Sequence, residues 1–122
     1  MSTVLVVDDS STDMEIFSQC LRQAGLSVIS AKSGEEAQGQ LASNSPDLII
    51  LDVILPGQSG FELCRELKNA DGTRRIPVVM CSTKGTDVDK MWGDMLGADA
   101  YLTKPVNPDE LINTVRKLLT KS

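Results

Sequence analysis

The chain has 122 residues, 41% hydrophobic and 24% charged, which suits one compact domain of ordinary globular composition. Twelve Lys and Arg against 17 Asp and Glu leave a net charge of −5, a balance that repels a phosphate backbone and argues against non-specific nucleic-acid binding. Histidine is absent, which excludes His-based acid–base chemistry, Ser-His-Asp and Cys-His nucleophile systems and nearly every zinc site.

Five short apolar runs alternate with five longer amphipathic stretches. The first run, Thr3–Val7, is continuously apolar, as expected of a strand covered on both faces, and it ends in Asp8-Asp9. Thr12-x-x-Glu15 has capping-box spacing and predicts the start of a helix that buries Met14, Phe17, Leu21 and Ala24. Ser27–Ser30 is shorter and more polar, which suits an edge strand, and Ser33-x-x-Glu36 repeats the capping-box spacing after it. Asp47–Leu51 is the third run and ends in Asp52, ahead of a Pro56-Gly57 turn. The polar segment Asn69–Arg75 predicts a mobile surface turn. Ile76–Cys81, the fourth run, ends in Ser82-Thr83. Val88, Met91, Trp92, Met95 and Leu96 then form an i, i+3, i+4, i+7, i+8 stripe. Ala100–Thr103, the second edge candidate, ends in Lys104-Pro105. Asn107-Pro108-Asp109-Glu110 supplies a cap, a Pro at the first helical position and first-turn acids for a last helix that buries Leu111, Val115 and Leu118.

Strands alternating with helices at this length predict an α/β fold: a single doubly wound (βα)5 domain over residues 1–122, with right-handed crossovers. With the second and fifth strands as edges, the five-stranded parallel sheet takes the order 2-1-3-4-5, the flavodoxin-like arrangement. No run approaches the roughly 20 apolar residues of a membrane helix. The first residues lack the basic-then-apolar build of a signal peptide, so a cytoplasmic protein without membrane insertion is expected. Cys20, Cys64 and Cys81 are odd in number and lack C-x-x-C spacing. They read as small buried thiols in a reducing compartment, with a redox role for Cys81 as the sharper alternative.

In an open parallel sheet, ligands bind beyond the carboxyl ends of the strands, where the strand order reverses. Asp8 and Asp9 follow the first strand, Asp52 the third, Ser82 the fourth and Lys104 the fifth. Adjacent carboxylates are unfavourable unless something offsets them, and a hard divalent ion such as Mg2+ is their natural partner. A carboxylate, a metal, a lysine and a hydroxyl around one point suit formation of an acyl phosphate, with Asp52 as the nucleophile. Read singly, each residue has a plainer role: Asp8-Asp9 in a loop, Asp52 opening a turn, Ser82-Thr83 capping a helix, Lys104 as a solvated charge. Their landing after successive strands of one sheet carries the site. Neither G-x-x-x-x-G-K-[ST] nor G-x-G-x-x-G occurs, so a P-loop or dinucleotide fingerprint is missing.

This pattern resembles the receiver domain of bacterial two-component response regulators over essentially the whole chain: VLVVDDS (4–10), PDLIILDVILPGQSGFELCRELK (46–68), IPVVMCST (76–83) and GADAYLTKP (97–105). The resemblance implies that Asp52 is the phosphoacceptor of a histidine kinase. It implies Mg2+ on Asp9, Asp52 and the backbone carbonyl of Ile54, with Asp8 assisting through water. Lys104 would contact the phosphoryl group and precede a cis Pro105. Ser82 and Tyr101 would switch on phosphorylation and re-form the surface of the fourth helix, fifth strand and fifth helix, where a downstream protein docks. Thr83 stands where such domains usually carry Ala, and Ile54 and Lys84 stand where they vary the phosphate lifetime. The segment KMWGDMLGADAYLTKPV resembles receivers of twitching-motility and chemotaxis-like pilus systems, while Trp92 reads equally as the completion of an apolar helix stripe.

With the sequence ending at Ser122, after the fifth helix, the expectation is a stand-alone, monomeric phospho-switch rather than an enzyme, signalling through protein contacts or acting as a phosphate sink. The alternatives are a phosphorylation-independent interaction module with the same fold and a Mg2+-dependent phosphohydrolase.

Overall fold

A computed structural model describes residues 2–120; Met1, Lys121 and Ser122, the ends of the expected domain, lie outside the described residues. Five strands, β1 (Thr3–Val7), β2 (Ser27–Ala31), β3 (Leu48–Leu51), β4 (Val78–Ser82) and β5 (Ala100–Thr103), form one parallel sheet in the order β2-β1-β3-β4-β5. Helices α1 (Ser11–Gln23), α2 (Gly34–Ser43), α3 (Gly60–Asn69), α4 (Asp87–Met95) and α5 (Pro108–Leu119) follow the strands in turn. The predicted architecture and both edge strands are therefore observed.

Strand alternation sends side chains to two cores. Leu5, Val7, Ile49, Leu51, Val78 and Met80 meet Ala37 of α2 and Leu63, Cys64 and Leu67 of α3. Val4, Val6, Leu48, Ile50, Val79 and Cys81 meet Phe17 and Leu21 of α1 and Leu111 and Val115 of α5. Both faces of β1, β3 and β4 are thus buried, which is why Val4–Val7, Leu48–Leu51 and Val78–Cys81 are apolar without a break. Met14, Ala24 and Leu118, expected inside, pack only partly buried at the helix margins.

Several boundaries differ from expectation. β4 begins at Val78, because Pro77 has no N–H to give the ladder, and it runs on to include Ser82. Helix α1 is capped by Ser10, whose extended backbone precedes the first turn and whose hydroxyl accepts from Asp13 N–H, so the Thr12/Glu15 spacing lies inside the helix. Ser33 does cap α2, but Glu36 reaches the Lys32 N–H rather than that of Ser33. Asn107 caps α5 as predicted. The 69–75 segment is a surface turn, cross-tied by Thr73 Oγ1 to Leu67 O and by Arg74 N to Ala70 O.

Helix α4 decides between the two readings of its stripe. Its apolar stripe does not face the core: Val88, Met91, Trp92 and Met95 are all more than half exposed, and Gly93 is the buried residue of the helix. A Cβ at Gly93 would stand 2.9 Å from the Tyr101 ring, so the missing side chain is what lets α4 lie against β5.

Candidate functional site

Three side chains converge where the expected site lies. Backbone ladders carry their residues one step past the strands: Asp8 N donates to Ala31 O, Asp52 N to Val7 O and Lys104 N to Ser82 O. The Lys104 ammonium then sits 2.7 Å from Asp8 Oδ2 and 2.8 Å from Asp52 Oδ2. Its third donor goes to Asp13 Oδ2 at 2.8 Å, a partner that the sequence reading did not include. The remaining oxygens are also engaged: Asp8 Oδ1 accepts from Ser10 N–H, and Asp52 Oδ1 from Ile54 N–H. The Lys104–Pro105 bond is cis.

Burial gives these contacts their strength. Asp8 is fully buried, Asp52 is 7% exposed, and the Lys104 side chain is 9% exposed. Burial raises the Asp8 carboxyl above its ordinary value, against the lowering effect of Lys104 and of the Ser10 N–H. Burial by itself would lower Lys104, but the hydrogen bonds it donates to Asp13, Asp52 and Asp8 outweigh it and hold the ammonium above its usual range. Lys104 is a fixed cation. It offsets carboxylates that would otherwise repel one another.

A glycine fixes the Asp52 backbone. Gly60, the first residue of α3, packs so closely that a Cβ there would fall 1.9 Å from the Asp52 carbonyl oxygen, and its N–H donates to Val53 O. The bend between them places Gly57 at φ +78°, a left-handed conformation that favours glycine. Ser82 is fully buried at the end of β4, its hydroxyl accepting from Lys84 N–H at 3.3 Å. Tyr101 lies on β5 beside Gly93, its hydroxyl donating to Lys84 O. Burial pushes that phenol up to about 12.

Asp9 is exposed beside Asp8, and Ile54 is exposed just after Asp52. Among the described residues no three His, Cys, Asp or Glu side chains are already grouped as a metal cage. The donors at this spot are nevertheless all hard oxygens: Asp8, Asp9, Asp52 and the Ile54 carbonyl. That set fits Mg2+, which takes one or two carboxylates and keeps waters for its other positions. Cys81 is buried in the core packed by α1 and α5, and desolvation pushes its thiol up to about 12, the setting of a packed structural thiol. An apolar groove of about 260 Å³, lined by Phe61, Glu62, Arg65, Trp92 and Leu96 between α3 and α4, contains none of the site carboxylates.

Residues 4–116 match the response regulator receiver domain model. The chain belongs to that family. It is 36% identical over 119 residues to protein PilH of Pseudomonas aeruginosa, covering 98% of each. Among solved structures it is similar to the chemotaxis protein CheY4 of Vibrio cholerae (TM-score 0.90, 33% identity, 97% and 98% of the two chains). It is likewise similar to a BeF3-activated DrrB receiver domain (TM-score 0.88, 31% identity, 98% of each). Against transcriptional regulators that it also matches, the chain spans about half their length, 49–52%.

Proposed function

We propose that this receiver domain is a phospho-acceptor switch of a two-component pathway, with Asp52 as the acceptor. The observation that carries the reading is the Lys104 ammonium 2.8 Å from Asp52 Oδ2 at the carboxyl edge of the sheet, with Asp8 on the same nitrogen. An Asp52 oxygen attacks the phosphorus of a phosphohistidine on a histidine kinase, the P–O bond forms as the P–N bond breaks, and the histidine leaves with its electron pair. Lys104 holds an oxygen of the transferring group, and the buried Ser82 hydroxyl is available to another. Asp8, Asp9, Asp52 and the Ile54 carbonyl would hold a Mg2+ ion, which would neutralise charge on that group.

The output reading follows from the same elements. Ser82 and Tyr101 respond to the phosphoryl group, and the surface of α4, β5 and α5 presents the response to a downstream protein. The exposed Val88, Met91, Trp92 and Met95 suit a protein contact better than nucleic acid, as does the net charge of −5. A pilus or motility pathway is supported by the similarity to PilH. We assign the protein to the cytoplasm as a monomer. No helix among the described residues is long and apolar enough to cross a membrane.

Phosphotransfer from a radiolabelled histidine kinase tests the assignment. The label should appear on the wild-type chain as a hydroxylamine-labile acyl phosphate and be missing from Asp52→Asn. Equal labelling of the mutant would place the acceptor elsewhere.

A further inference from the structure

Lysine has three ammonium N–H bonds, and Lys104 spends them on three carboxylates, Asp8, Asp13 and Asp52. Asp8 and Asp52 stand at strand ends. Asp13 comes from the first turn of α1, and its side chain is 35% exposed.

The route by which Asp13 reaches Lys104 is visible in the helix cap. An acid three residues after a Ser or Thr N-cap ordinarily turns back to the N-cap N–H, closing a capping box. Helix α4 does this: Thr86 Oγ1 accepts from Asp89 N–H and Asp89 Oδ2 accepts from Thr86 N–H. In α1 only half of that exchange forms. Ser10 Oγ accepts from Asp13 N–H, but Asp8 Oδ1 already takes the Ser10 N–H at 2.9 Å. Asp8 thereby replaces Asp13 in the cap, and the released Asp13 carboxylate turns to Lys104.

We propose that Asp13 is a positioning residue, which keeps the Lys104 ammonium beside Asp52 when the other two carboxylates are drawn to a divalent cation and a phosphoryl group. The inference rests on the phospho-acceptor reading above. A hard cation competes for the oxygens of Asp8 and Asp52, and phosphorylation converts Asp52 itself. Lys104 then exchanges two of its three carboxylate anchors for an oxygen of the incoming phosphoryl group, and until that group arrives Asp13 alone holds it. A lysine on its four-carbon stem would otherwise be free to turn its strongly hydrated head toward water. Asp13 lies outside the proposed metal set, so its bond to Lys104 survives both events.

The test is a calorimetric or NMR titration of the full chain with beryllofluoride in Mg2+, for wild type, Asp13→Asn, Asp13→Glu, Lys104→Ala and the Asp13→Asn/Lys104→Ala pair. Two-dimensional NMR spectra verify that each variant is folded. Asp13→Asn should weaken beryllofluoride binding roughly five- to tenfold, the scale of one charge-assisted hydrogen bond. Asp13→Glu should recover most of it. In the Lys104→Ala background the Asn substitution should add nothing, and Mg2+ affinity measured alone should not fall. Unchanged or tighter beryllofluoride binding by Asp13→Asn overturns the assignment, as does an equal loss in the Lys104→Ala background. A parallel fall in Mg2+ affinity would make Asp13 a metal ligand and also overturns it. Wild type that binds no beryllofluoride overturns the phospho-acceptor reading itself, and this assignment with it.

Discussion

At the scale of single residues, Asp8 is the one whose charge the fold tolerates least. It is fully buried, and desolvation raises its carboxyl above the unfolded value of 3.8, with Lys104 and the Ser10 N–H only partly offsetting the cost. The sign of the pH dependence follows. Below 3.8 Asp8 is protonated in both states and its contribution to stability is complete; as pH rises through the higher folded-state pKa, the folded protein must ionise a buried group and that contribution is lost. Asn in its place removes the charge and keeps one oxygen to accept from the Ser10 N–H, while giving up the second acceptor that faces Lys104. In metal-free buffer, the urea midpoint of Asp8→Asn relative to wild type should therefore rise as pH climbs above 3.8, because only wild type must ionise the buried group. A margin that stays flat with pH would contradict the desolvation argument.

Asp8, Asp52, Ser82 and Lys104 were all legible in the sequence, because each follows an apolar run directly and parallel strands bring their ends to one edge. Asp13 was not. Its Ser10-x-x-Asp13 spacing reads as an ordinary cap, and only the contact between Asp8 and the Ser10 N–H reveals that its carboxylate is free to leave. Gly60 was hidden for a similar reason, since its role is a close approach to a backbone eight residues earlier in the chain.

At the scale of elements, α4 shows why periodicity alone leaves a face unassigned. Its stripe has helical spacing and apolar content, yet Trp92 is 51% exposed and the sheet side is filled by Gly93 against Tyr101. A hydrophobic pattern identifies one side of a helix without saying what lies opposite it, core or a partner. The exposed placement has a measurable consequence. Trp92→Ala should change unfolding free energy by no more than about 1 kcal/mol, as at an exposed position, whereas Phe17→Ala in the α1–α5 core should cost about 3–5 kcal/mol. A Trp92 penalty as large as that of Phe17 would return the stripe to the core. The strands were easier to place than the helices' faces, because Val4–Val7, Leu48–Leu51 and Val78–Cys81 are unbroken apolar runs and fit burial on both sides.

Across the whole molecule, the two cores hold β1, β3, β4 and β5 in register, and that register is what sets Lys104 over Asp8 and Asp52 from 96 and 52 residues away in sequence. The fold order could be deduced from which runs were polar enough to be edges. The state of the site could not, because a lysine's choice among three carboxylates depends on side-chain geometry that spacing does not encode. The central claim is that this arrangement exists to form an acyl phosphate on Asp52. Intact-mass spectrometry after incubation with acetyl phosphate, with and without Mg2+, on wild type and Asp52→Asn tests it most directly. The account predicts a single phosphoryl adduct on wild type that requires Mg2+ and is missing from the mutant. An adduct that persists in Asp52→Asn, or a wild-type chain that takes up no phosphoryl group from either acetyl phosphate or the kinase, would contradict it.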